Sequence, residues 1–216
     1  MGGCGRPVLV VGGAPRVAVD AVRSLLVTTT GATARHLSTA LAGRAVVDLL
    51  LSEGLMPDLT ARRYRDREEL DAVVRAWVGG HHDGVVVMTA AVNDYQVAGL
   101  ECCRDGHWQA LPPGAKLSSG AEEVVIRLRP AAKLIDQLPA WGHRGPLVAC
   151  KYQEAEGVIA AARVLCTRVG AAVVVANSIC GRVQALVDAD GVRPYPNRAA
   201  LLEALVTRVE SLVQTP

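Results

Sequence analysis

A chain of 216 residues, half of them hydrophobic yet without a phenylalanine, is long enough for one self-sufficient core, which Val, Leu, Ile and Ala must fill. The formal charge of only +2, with basic residues dispersed among acidic ones, argues against a nucleic-acid surface, and no apolar run approaches the roughly 18 residues of a membrane span. Residues 1–7 lack the basic and apolar regions of a signal peptide, and the six cysteines form no CxxC pair; both point to a cytoplasmic protein with free thiols and no structural zinc.

Short apolar runs alternate with helical stretches along a single domain spanning residues 1–216, the pattern of a Rossmann-like, doubly wound, mostly parallel sheet. The first strand, Pro7 to Val11, runs into Gly12 and Gly13. Three threonines, Thr28, Thr29 and Thr30, then stand with Gly31 before a helix over Thr33 to Ala42. Unpaired N–H groups and a positive dipole end at such a helix start suit a phosphate, although Ser/Thr clusters there also serve as ordinary caps. Strands over Val46 to Leu51 and Thr60 to Tyr64 and a helix over Arg67 to Val78 follow.

The strand Gly84 to Met88 ends in Thr89-Ala90-Ala91-Val92-Asn93-Asp94-Tyr95, where open α/β sheets place their ligands. Small Ala90 and Ala91 leave room for a ligand against the backbone, and Asp94 accepts hydrogen bonds; a plain polar turn is the competing reading. Ala98 to Gly120, rich in Gly, Pro and polar residues and carrying Lys116, reads as a mobile loop or arm. Beyond it come a strand over Val124 to Leu128, a helix over Lys133 to Leu138 and a strand over Leu147 to Lys151. Cys150 and Lys151 stand at the end of that last strand, where a buried lysine calls for an anionic partner. A helix over Ala155 to Val169 and a strand over Ala172 to Ala176 lead to Asn177, whose amide offers both a donor and an acceptor. A hairpin with arms Val183 to Asp188 and Val192 to Tyr195 precedes a closing helix over Arg198 to Val213. Neither a P-loop nor a G-x-G-x-x-G pattern follows the first strand.

Taken in order, these features resemble the phosphopantothenoylcysteine synthetase (phosphopantothenate-cysteine ligase) family. The glycine pair is matched by Gly12-Gly13, a Val-Arg by Val22-Arg23, and a Ser-Ser-Gly by Thr29-Thr30-Gly31. Ala90 to Tyr95 match Ala-Ala-Val-x-Asp-[Tyr/Phe], and Lys116-Leu117-Ser118-Ser119 match the flap. Pro130 and Lys133 match a proline and lysine after a strand, and Val175-Ala176-Asn177 match Val-Ala-Asn. Lys151, together with the absence of lysine from Leu165 to Gly170, is similar to the eukaryote-like, ATP-using branch.

The resemblance implies a homodimeric ligase using ATP, or alternatively CTP, with Mg2+, and joining a small carboxylate to an amine such as cysteine. It implies that Gly12, Gly13, Thr28, Thr29, Thr30, Gly31, Cys150 and Asn177 meet the nucleotide. Ala90, Ala91 and Asp94 would meet the acyl substrate, and Arg23 its phosphate across the dimer. Lys116 on the flap and Lys151 near the polyphosphate would be the catalytic lysines. Three positions depart from the family: Val27 stands where it has an asparagine that steadies the acyl-nucleotide, Ala34 replaces a glycine, and Cys150 replaces the base-side Phe. Val27 keeps open a homologue that binds nucleotide or acyl ligand without turnover, as a regulatory subunit. A nicotinamide-dependent oxidoreductase is disfavoured by the glycine pattern.

Overall fold

The computed structural model describes residues 5–215, so Cys4 lies outside the described residues. In chain order its elements are β1 (Val8–Gly12), β2 (Val17–Ala18), β3 (Ser24–Leu25), α1 (Ala32–Leu41), β4 (Val47–Ser52), β5 (Arg62–Tyr64), α2 (Arg67–Gly80) and β6 (Val85–Met88). They continue with β7 (Tyr95–Arg104), β8 (His107–Ala110), β9 (Glu123–Pro130), α3 (Leu134–Gln137), β10 (Leu147–Gln153), α4 (Val158–Val169), β11 (Val173–Ser178), β12 (Gln184–Asp188), β13 (Gly191–Pro194) and α5 (Arg198–Gln214).

An eight-stranded sheet in the order β5-β4-β1-β6-β10-β11-β12-β13 forms the frame. The six strands from β5 to β11 are parallel and the hairpin β12-β13 closes one edge antiparallel, as the valine-rich runs and the Asp190-Gly191 turn lead one to expect. Successive side chains feed opposite faces: Leu9 and Val11 join α2, α3 and α4, while Val8 and Val10 join α1 and α5. α2 is started by Asp66, which accepts the Glu69 N–H at 3.0 Å, while the Glu69 carboxylate takes the Arg65 N–H at 2.8 Å. Asn197 starts α5 by accepting the Ala200 N–H at 2.9 Å. The chain passes from β4 and β5 on one side of β1 to β6 on the other, so the ends of β1 and β6 flank the point where strand order reverses.

Three expectations are corrected. Ala98 to Gly120 is no loop along its first half: β7 and β8 form a hairpin, with Arg104 opposite His107. Asp105 and Gly106, at φ 49° and 72°, make the two-residue turn that the right-handed strand twist favours. The strand around Val124 to Leu128 leaves the main sheet and pairs antiparallel with β7, giving a separate three-stranded sheet β8-β7-β9. The helix expected from Ala155 starts at Val158, because Glu154 to Gly157 make a turn. Among the described residues no helix is long and apolar enough to cross a membrane.

Candidate functional site

The carboxyl ends of β6 and β10 floor a cleft of about 550 Å³ walled by α3 and α4. It gathers Val27, Ala90, Ala91, Asp94, Cys150 and Lys151, six of the sequence-predicted residues drawn from separate segments. The loop after β6 is pinned to the first strand: the Thr89 hydroxyl donates to the Val11 carbonyl at 2.7 Å and the Ala91 N–H to the Gly13 carbonyl at 2.8 Å. Asp94 pairs with Lys133 at 3.3 Å, both half-exposed at the mouth. Lys151 lines the same cleft, and Arg168 of α4 enters it while paired with Asp136. Burial pushes the Cys150 thiol up to about 12, so near neutral pH it is an uncharged apolar wall. The cleft therefore joins an apolar body to cations at its rim, a shape for an apolar ligand with an anionic end.

Val27 also lines a second cleft of about 320 Å³, shared with Thr28, Thr29, Arg16, Glu53 and Leu55. Here the threonine run meets α1, whose N-cap is Gly31 at φ 63° with no side-chain cap bond. Thr29 and Thr30 hydroxyls lie a long 3.4 Å from the Gly31 and Ala32 N–H groups, so the ordinary-cap reading of this run is weakly met. Two glycines have reasons inside the fold itself. A Cβ on Gly13, at φ 95°, would lie 2.2 Å from the Ser52 hydroxyl, and one on Gly12 would lie 2.5 Å from Ala34 of α1. Ala34 is thus the residue that presses on Gly12.

Arg23 and Lys116 stand apart from both clefts. Asp20, its side chain fully buried, accepts N–H groups of Val22 at 2.8 Å, Arg23 at 2.7 Å and Leu117 at 2.9 Å, and pairs with the Arg23 guanidinium. Arg23 also donates to the Leu117 carbonyl at 3.2 Å. Burial works to raise the Asp20 pKa, but those donors together hold it well below the usual carboxylate range. Leu117 is thereby latched, and the exposed Lys116 beside it is presented on the flap. Asp20 escaped the sequence reading because one acid in a loop has no periodicity to betray it.

Asn177 ends β11 away from the larger cleft, and its side-chain oxygen accepts from Arg198 Nη1 at 2.5 Å. Arg198 Nη2 donates to the Thr33 hydroxyl in the first turn of α1. Arg198, half-buried, thus ties together the starts of α1 and α5 and the end of β11. Sequence reasoning missed it because nothing in a helix-starting arginine signals a partner 165 residues away.

No family model and no curated protein matches the chain. Solved structures do. The DNA/pantothenate metabolism flavoprotein from Streptococcus pneumoniae superposes with a TM-score of 0.80 at 19% identity, over 95% of this chain and 99% of that one. The C-terminal domain of the coenzyme A biosynthesis bifunctional protein CoaBC gives 0.72 at 18% identity, over 97% and 96%. A Cab2 variant in complex with phosphopantothenate-cysteine gives 0.74 at 12% identity, over 95% and 85%. The chain has the fold of these proteins, the fold that the sequence resemblance implied.

Proposed function

We propose that the chain is a nucleotide-dependent ligase that activates a carboxylate, phosphopantothenate or a related anionic acid, for attack by an amine such as cysteine. The observation that carries this reading is the larger cleft, in which Ala90, Ala91 and Asp94 share one wall system with Lys133 and Lys151. The Cab2 neighbour supports it, since phosphopantothenate-cysteine is the compound such a reaction would form. ATP, or alternatively CTP, supplies the activation: a carboxylate oxygen bonds to phosphorus and displaces pyrophosphate, giving an acyl-nucleotide, or the nucleoside diphosphate, giving an acyl-phosphate, and either mixed anhydride is an electrophile. Ala90 and Ala91 would let the acyl chain lie against the backbone, and Asp94 would accept its hydroxyl or amide protons. Lys151 would hold developing negative charge in place, and Lys116 would add its charge as the flap closes. The threonine run and the uncapped start of α1 would face the phosphates. Among the described residues no group of three or more His, Cys, Asp or Glu converges on a metal position; Mg2+ arriving with the nucleotide would supply neutralisation of its phosphate charge. The proposal includes a homodimer in the cytoplasm, with Arg23, half-exposed beside the flap, serving the partner's substrate.

Val27 favours a second reading, a homologue that binds without turnover. It stands where the two clefts meet and brings a hydrocarbon where the related ligases have a donor. Release of pyrophosphate or inorganic phosphate with ATP and CTP, over phosphorylated and unphosphorylated acids with and without cysteine, separates the two. Acid-dependent release supports the ligase; if neither the wild type nor Val27→Asn releases pyrophosphate or inorganic phosphate while nucleotide still binds, the non-catalytic reading replaces it. One missing donor to a developing charge costs roughly 3 to 4 kcal/mol in barrier, about 100- to 1,000-fold in rate, so Val27→Asn is expected to raise turnover of phosphopantothenate.

A further inference from the structure

Several arginines here meet a carboxylate: Arg23 meets Asp20, Arg67 meets Asp71, Arg168 meets Asp136, and Arg193 and Arg208 meet Asp188. Arg63 does not, but it is saturated by backbone, donating to the carbonyls of Leu55, of Met56 at 2.9 Å and of Leu59 at 2.8 Å. Arg198 has neither kind of compensation. Its bonds go to two neutral side-chain oxygens, of Asn177 and Thr33, and no carboxylate lies within 4.0 Å of it among the described residues. Burial lowers its pKa. Its surroundings add to the positive potential. Arg198 is the first residue of α5 and its head reaches the first turn of α1, so two positive helix ends converge on it with no acidic residue in either first turn. α2, by contrast, carries Glu68 and Glu69 in its first turn. A guanidinium has five N–H donors, and the bonds to Asn177 and Thr33 leave donors of Arg198 free for an anion in this positive potential.

We infer that Arg198 is a ligand-binding residue that holds an oligophosphate, the polyphosphate of the nucleoside triphosphate, between the first turn of α1 and the end of β11. The inference rests on the ligase reading for the identity of the anion, but not for its charge or its place. Asn177 and Thr33 orient the guanidinium fork, leaving its other donors for phosphate oxygens, the bidentate geometry that arginine serves better than lysine. The same contact keeps Asn177 in position at the strand end.

The test is calorimetric titration of wild type, Arg198→Met and Arg198→Lys with ATP, CTP, inorganic tripolyphosphate, adenosine and phosphopantothenate, with melting curves of each unliganded protein. Arg198→Met is expected to weaken both nucleotides and tripolyphosphate by about tenfold to a hundredfold, the loss of a charge-assisted contact, and to leave phosphopantothenate binding unchanged. Arg198→Lys, which keeps the charge but cannot span Thr33 and Asn177 together, is expected to recover most of that loss. Should lysine fail as badly as methionine while both proteins melt well below wild type, Arg198 is a structural bridge and the inference falls. It falls equally if Arg198→Met binds tripolyphosphate like wild type, if the wild type binds no oligophosphate, or if the loss is confined to phosphopantothenate, which would assign the site to the acyl substrate's phosphate. Binding of tripolyphosphate through Arg198 without acid-dependent release of pyrophosphate or phosphate would leave the inference standing and remove the ligase reading instead.

Discussion

In the eight-stranded sheet Val10 and Leu51 are fully buried under helices, whereas Val124, Ile126 and Leu128 of the three-stranded sheet are 38%, 37% and 46% exposed on a single face. Register puts that face level with Leu100 and Cys102, which Leu117 of the flap covers, so the flap shelters one end of an apolar stripe and leaves the other open. The opposite face carries the exposed Arg127–Glu101 pair at 2.6 Å. The large sheet is buried on both faces, whereas the small one leaves part of an apolar face open.

The largest expected effect breaks that contrast along stability. Leu51→Ala should cost about 2 to 5 kcal/mol in denaturant unfolding, since a cavity opens between β4 and α1, whereas Ile126→Asp should stay within about 1 kcal/mol. If the open stripe is the dimer face, Ile126→Asp should nonetheless halve the sedimenting mass at micromolar concentration. Equal destabilisation by the two substitutions would show that the small sheet belongs to the core. A wild type that sediments as a monomer would remove the dimer.

A smaller effect concerns the latch. Because the folded Asp20 pKa lies below its ordinary value of 3.8, its contribution is fully present above that value and is lost as pH falls below it. The protection factor of the Leu117 N–H, its exchange rate set against that of an unstructured amide at the same pH, should therefore fall in acid in the wild type. In Asp20→Asn the same amide should exchange fast already at neutral pH and without that acid step. An Asn variant as protected as the wild type at pH 7 would mean that the flap is held by Leu117 packing alone.

The parallel frame could be read from sequence because valine-rich runs buried on both faces carry a strong signal, and the loops at the carboxyl ends of β6 and β10 follow from strand order. For that reason Ala90, Asp94 and Lys151 were found together. The small sheet was hidden for a physical reason: β7 mixes Gln96, Gly99 and Arg104 with its apolar residues, so alternation is faint, and the one clear signal was Asp105-Gly106. Asp20 and Arg198 were illegible because their meaning lies in partners distant in sequence, Leu117 for one and Asn177 with Thr33 for the other.

The most direct measurement supplies phosphopantothenate labelled with oxygen-18 in its carboxylate, together with cysteine and ATP or CTP, and weighs the products by mass spectrometry. The account predicts the amide phosphopantothenoylcysteine and one labelled oxygen transferred to the nucleoside monophosphate, or to phosphate if the activated acid is an acyl-phosphate. Nucleotide hydrolysis that is indifferent to the acid and leaves the label in the carboxylate, or nucleotide binding with no amide for any acid tried, would contradict it.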